Sequence, residues 1–172
     1  IIRREAGSQE PNGVLEETGF MMVAGKLVPG LGINGMKAFA RAGAELWASF
    51  GYTTVQEGRA APDVVAVLRD IADAKGFAVD VTVYPDIMTG REKMLPLVSQ
   101  TYVNHMRVAG FKLSLDGSPQ GFTAWRDRPY YAPVGDYPAG YAGYNTVPEK
   151  DAMNAIGWAY ANNVQLLTHA NG

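Results

Sequence analysis

The chain contains no cysteine, which excludes disulfides, thiolate metal sites and a cysteine nucleophile and leaves the redox compartment open. It has only two histidines, His105 and His169, too few by themselves for the three protein ligands a catalytic zinc normally takes. No H-x-H or H-E-x-x-H pair occurs, no glycine-rich loop leads into Lys-Ser or Lys-Thr to cradle phosphate, and no G-x-S-x-G elbow is present. Charge of either sign is not in excess: 15 Lys and Arg face 17 Asp and Glu, so there is no electrostatic footprint for nucleic acid or an anionic membrane. No apolar run approaches the roughly 20 residues of a membrane helix. What is there is 172 residues, 47% of them apolar, enough for one domain with a real core. A signal peptide and an initiator Met are missing, and Ile1-Ile2-Arg3-Arg4 reads like the middle of a strand. Both ends are therefore expected to be cut, with a cytoplasmic location as the default.

Residues 1–30 have their own character. Ile1 to Arg4 and Val14-Leu15 flank the turn-rich Gly7 to Gly13 segment, which predicts a small hairpin, and Val23 to Gly32 reads as a linker. From residue 31 the punctuation becomes regular. Asn34 is placed to cap a helix with an apolar face of Met36, Phe39, Ala40, Gly43, Leu46, Trp47 and Phe50, stopped by Gly51. A strand over Tyr52 to Gln56 follows. Pro62 opens a helix with Val64, Val67, Leu68 and Ile71 on one face and Gly76 at its close. Phe77 to Tyr84 alternates Val79, Val81 and Val83 with polar neighbours, which predicts a strand with two different faces. Thr89-x-x-Glu92 predicts a helical stretch to about Arg107, with Pro96 against it. Phe111 to Leu115 is a strand, Thr146-x-x-Glu149 caps a helix to Ala161, and Val164 to His169 is the last strand.

Alternating strands and helices with short connections predict an α/β fold of parallel βα units. The exception is the loop over 116–147, which carries five of the nine tyrosines; structureless loops of that length are usually functional. Period two on the strand from Phe111 puts Lys112, Ser114 and Asp116 on one face, an unusual polar row for a parallel strand. His169 ends the last strand, and in parallel α/β folds sites are built at the C-terminal ends of strands. Each residue also has an ordinary explanation. A strand lysine can be a solvated edge residue, and a histidine can be a hydrogen-bonded packing group. His105 reads as a surface or helix-end residue, and Glu57, Asp80 and Asp86 as caps. Trp125, Tyr130, Tyr131, Tyr137, Tyr141 and Tyr144 either line a pocket or pack the loop down.

The run Phe111-Lys112-Leu113-Ser114-Leu115-Asp116-Gly117-Ser118-Pro119-Gln120-Gly121 resembles amidohydrolase family 3 of the metal-dependent amidohydrolase superfamily, the branch with N-substituted formamide deformylases. Three other stretches are similar to that family in its own order: Glu10 to Glu17, Gly51 to Glu57, and Leu167 to Gly172. The resemblance implies a partial (β/α)8 TIM barrel, about strands two to five, over residues 31–172, with a small N-terminal β-hairpin and linker segment over 1–30. It implies Lys112 as a lysine carboxylated by CO2 to bridge two metals and His169 as a metal ligand, with one or two divalent ions, zinc expected. Asp116, Trp125, Tyr130 and Tyr131 would border the pocket for a small-molecule substrate.

The departures are as informative. The family's first-strand H-x-H, its sixth-strand His and its eighth-strand Asp have no counterpart here, and Glu57 stands where Asp is more usual. A whole barrel takes about 250 residues, so an internal fragment is expected, with an incomplete catalytic set, an absent or incomplete metal site and no activity of its own. Exposed sheet edges would favour homo-oligomerisation. No nucleic-acid or membrane partner is expected. The alternative is a non-catalytic α/β module that binds a ligand or partner.

Overall fold

The computed structural model describes residues 2–132 and 134–172. They divide into two compact units: Ile1–Gly30, Ser114–Pro148 and His169–Gly172 form the first, Leu31–Leu113 and Glu149–Thr168 the second. The opening Ile1 lies outside the described residues. Among the described residues no helix is long and apolar enough to cross a membrane.

In the second unit the βα alternation is realised. After helix α2 (Gly32–Ser49), strand β3 (Thr54–Ala60) leads to α3 (Pro62–Asp73), then β4 (Asp80–Pro85) to a short α4 (Arg91–Met94) and a 3-10 turn (Leu95–Leu97). Strands β5 (Met106–Val108) and β6 (Gly110–Ser114) follow directly, and α5 (Glu149–Ala161) leads to β7 (Gln165–His169). β4 pairs in parallel with β3 (Val55 opposite Val81) and with β5 (Val81 opposite Met106). The Ala109 N–H donates to Val83 O and the Ile87 N–H to Lys112 O. β5 and β6 thus run along β4 as one strand broken at Ala109, and β6 pairs with β7 on its other side. The strand order is β3, β4, β5–β6, β7.

Burial explains the order. Val81, Val83, Met106 and Val108 are buried with Val67, Leu68 and Ile71 of α3 in one apolar cluster. β4 is buried on both faces, because Thr82 and Tyr84 are as enclosed as the valines. The expectation of two unlike faces is corrected: the polar atoms are satisfied internally, Thr82 Oγ1 at 2.6 Å from Tyr102 OH and Tyr84 OH donating to Gln165 Oε1 at 3.1 Å. α2 turns a different stripe inward from the one its large residues mark. Ala44 is buried and Met36, Ala40 and Ala48 pack on the core, whereas Phe39 is 78% exposed and Phe50 70%. Small side chains at this i, i+4 spacing let α2 lie close on α3, where Lys37 Nζ meets Asp70 Oδ2 at 2.8 Å. Gly51 does stop the helix, at φ +84 with its N–H on Ala48 O.

The long helix expected over residues 89–107 is replaced by α4, the 3-10 turn and an extended return to β5. Pro96 cannot donate to a helical ladder, Gly90 is left-handed at φ +69, and the β-branched Val98, Thr101 and Val103 prefer extended backbone. His105 accordingly sits in a tight turn at φ +66, not on a helix, with Nδ1 at 2.8 Å from Asp80 Oδ1.

In the first unit the hairpin is present: β1 (Ile2–Arg4) pairs antiparallel with β2 (Pro11–Leu15). The linker expected from residue 23 is instead part of α1 (Glu17–Gly30). Met21, Met22 and Leu27 favour helix strongly enough to carry the chain through Gly25. Among its described residues the 116–147 segment forms no regular element beyond an Asp116–Asn145 bridge, and is held by turns and stacked tyrosines.

Candidate functional site

The C-terminal ends of the parallel strands of the second unit gather four charged residues. The β3–β4 register slips between Glu57 and Ala60, a bulge that takes Gly58 and Arg59 out of the ladder and re-aims the Arg59 side chain. The Glu57 carboxylate turns back to accept the Arg59 backbone N–H at 3.0 Å. Arg59 Nε donates to Asp86 Oδ2 at 2.7 Å, and Asp86 Oδ1 accepts the Met88 N–H at 2.8 Å. Asp86 bridges in parallel to Lys112 on β6. Among the described residues the Lys112 ammonium has no carboxylate partner. Burial, and to a lesser extent the positive charge of Arg59, hold the Lys112 amine below the ordinary lysine range.

In the first unit Asp116 and His169 come together. Asp116 is 6% exposed, and its two oxygens accept three backbone N–H groups: Trp125 at 2.9 Å, Asn171 at 3.0 Å and Gly172 at 2.8 Å. The carboxylate thus ties the start of the long loop, its middle and the tail after β7 into one knot. His169 Nε2 is 3.7 Å from Asp116 Oδ1, 2.7 Å from Gly117 O and 2.8 Å from Asn171 Nδ2. Its tautomer decides whether it donates to the carbonyl or accepts from the amide.

The expected pocket aromatics are distributed unevenly. Trp125 is half exposed and Tyr131 fully so, while Tyr130 donates to Ala124 O and packs against Phe122 and Tyr141. Tyr137 stacks on Tyr141 at 3.8 Å and donates to Glu16 Oε2 at 2.8 Å, with the Arg3 guanidinium 4.1 Å above its ring. Arg3 also pairs with Glu16. Burial and the Glu16 carboxylate raise the Tyr137 hydroxyl far above its usual range, and burial pushes Tyr144 up to about 12. Both hydroxyls stay neutral; that of Tyr137 is hydrogen-bonded to Glu16, whereas that of Tyr144 is buried without a hydrogen-bond partner among the described residues. An open cleft of about 490 Å³ lies beside them, bordered by Arg3, Glu16, Glu17, Phe122 and Thr123 among others.

Arg59, Asn171, Arg3 and Glu16 are absent as individual site residues from the sequence-derived set, and Tyr137, read there as lining a pocket or packing the loop down, is found packed on Tyr141 and bonded to Glu16. For Arg59 the signal was available, since it closes a strand at the same end as Lys112 and His169. For Glu16 and Tyr137, far apart in the chain, no spacing rule applies.

A family model described as the amidohydrolase family matches residues 1–172. The chain belongs to the amidohydrolase family. Two solved structures are similar: a metal-dependent hydrolase from Pyrococcus horikoshii OT3, at 18% identity and TM-score 0.73, covering 98% of this chain and 34% of that one, and one from Pyrococcus furiosus, at 18% identity and TM-score 0.71, covering 94% and 35%. The comparison with curated proteins gave no match. The chain spans about a third of the length of those structures, and its four parallel strands with their helices are a partial TIM-barrel-like fold.

The family's divalent metal can be tested against the donors present. In kind some donors suit it: the His169 imidazole is of the type that ligates divalent metals, as are the Asp86 and Asp116 carboxylates. In number they fall short, because no group of three His, Cys, Asp or Glu among the described residues could hold a metal ion.

Proposed function

We propose that this chain is the central part of a metal-dependent hydrolase that cleaves amide or related C–N bonds, close in kind to the N-substituted formamide deformylases. The carrying observation is a partly buried lysine, Lys112, near the C-terminal end of β6 and without a carboxylate partner among the described residues, in a chain that the amidohydrolase family model matches over residues 1–172. Strand ends of this kind are where α/β folds build their sites. When bound, a divalent metal, zinc in this proposal, supplies Lewis acidity and a water that deprotonates near neutral pH.

The chain's own residues have distinct tasks. Lys112, as the neutral amine, would attack CO2, forming an N–C bond and releasing one proton; the resulting carbamate would offer a divalent metal an anionic ligand where the ammonium is a cation. His169 would be the second ligand, its ring placed by Gly117 O and the Asn171 amide. Asp116 holds the loop that carries Trp125, Tyr130 and Tyr131, which would border a small-molecule pocket. With two ligands in hand, the 172-residue chain is expected to be inactive alone. We also infer that copies self-associate, since β3 and β7 have no outer strand among the described residues and α1 exposes Phe20, Met21, Met22 and Leu27.

Carbon-13 bicarbonate tests the assignment. One carbamate resonance is expected by NMR, lost in Lys112→Ala and kept in His169→Ala, with zinc affinity reduced in both variants. Absence of the resonance together with unchanged zinc binding would favour the non-catalytic binding module instead. Turnover of N-alkylformamides by this chain alone would overturn its expected inactivity.

A further inference from the structure

Arg59 stands apart from the residues given a task so far. The bulge at the end of β3 lifts it out of the ladder, and its Nε is held by Asp86, whose other oxygen is fixed by the Met88 N–H. One edge of the guanidinium is therefore anchored, while Nη1 and Nη2 carry no hydrogen bond among the described residues and the side chain is 45% exposed. The second carboxylate nearby, Glu57, is turned away onto the backbone. An arginine held by one edge keeps a planar pair of donors whose spacing matches the two oxygens of a carboxylate, with little rotamer entropy left to lose on binding.

Resting on the hydrolase function proposed above, we propose that Arg59 is a specificity-determining residue whose free guanidinium edge binds a carboxylate carried by the substrate, so that the preferred substrates are anionic amides. Asp86 positions Arg59 and has no contact with substrate in this arrangement. A lysine at position 59 would keep the charge and lose both the Asp86 anchor and the forked geometry.

The test compares two probes of nearly equal shape, N-acetylglycine and its neutral amide N-acetylglycinamide, by NMR titration of the purified protein. N-acetylglycine is expected to bind at least tenfold more tightly, with the largest shifts at Arg59, Asp86 and their neighbours. Arg59→Gln should remove that preference and leave the weak binding of the neutral probe unchanged, and Arg59→Lys should restore only part of it. Equal affinity of the two probes for the unaltered protein overturns the inference, as does a preference that survives Arg59→Gln. Neither result touches the hydrolase proposal, which is judged by the Lys112 carbamate and zinc binding. Because the comparison of the two probes needs no variant, a variant that failed to fold would leave it decisive.

Discussion

At the scale of single residues, Asp116 shows how a polar side chain can be legible in position and opaque in role. Strand periodicity places it on the polar face beyond β6, and the structure shows it accepting three backbone N–H groups while almost fully buried. Replacing it with alanine strands those donors without water, a cost on the order of 3 kcal/mol. Urea denaturation of Asp116→Ala should register that loss, and Asp116→Asn, which keeps one acceptor oxygen, should lose less. A change within experimental error for Asp116→Ala would contradict the knot described here. Lys112 was visible for the opposite reason: a cation inside a parallel strand breaks the apolar rule, and among the described residues no carboxylate pairs with it.

At the scale of elements, the helices and strands that matched expectation are those whose ends carry strong local signals. Pro62 begins α3, Gly51 ends α2, and of the expected Val164 to His169 strand Gln165 to His169 form β7. The failures are segments where local preference and tertiary packing disagree. In α2 the large aromatics suggest one face, yet Ala44 and its small neighbours face the core because only they permit close approach to α3. Close approach also governs the β6–β7 pair. A Cβ on Gly110 would lie 2.3 Å from Gln165 O, so Gly110→Ala must push the two strands apart. The expected cost is about 1–3 kcal/mol, read as a lowered thermal midpoint with faster amide exchange across β6 and β7; an unchanged midpoint would refute the contact.

At the scale of the whole molecule, β3 and β7 have no outer partner strand among the described residues, and α1 and α2 carry large exposed apolar side chains. Phe20, Met22, Leu27 and Phe39 are each more than half exposed, a pattern that favours association. Sedimentation velocity should therefore show a mass that rises with protein concentration, and a Phe20→Ser, Leu27→Ser double variant should weaken that rise. A single monomeric species at every concentration would overturn the proposed self-association.

Chain order and periodicity by themselves determined the alternation of strands and helices, the opening hairpin, the place of Lys112 within a strand and that of His169 at a strand end, because each rests on contacts a few residues apart or on one-dimensional spacing. Only the tertiary structure decided which stripe of α2 is buried, that the residues after Thr89 abandon the helix, that Asp116 gathers N–H groups from the loop and the tail, and that Arg59 is lifted by a bulge onto Asp86. Those outcomes depend on groups distant in the chain meeting in space, where burial and hydrogen-bond satisfaction outweigh local propensity.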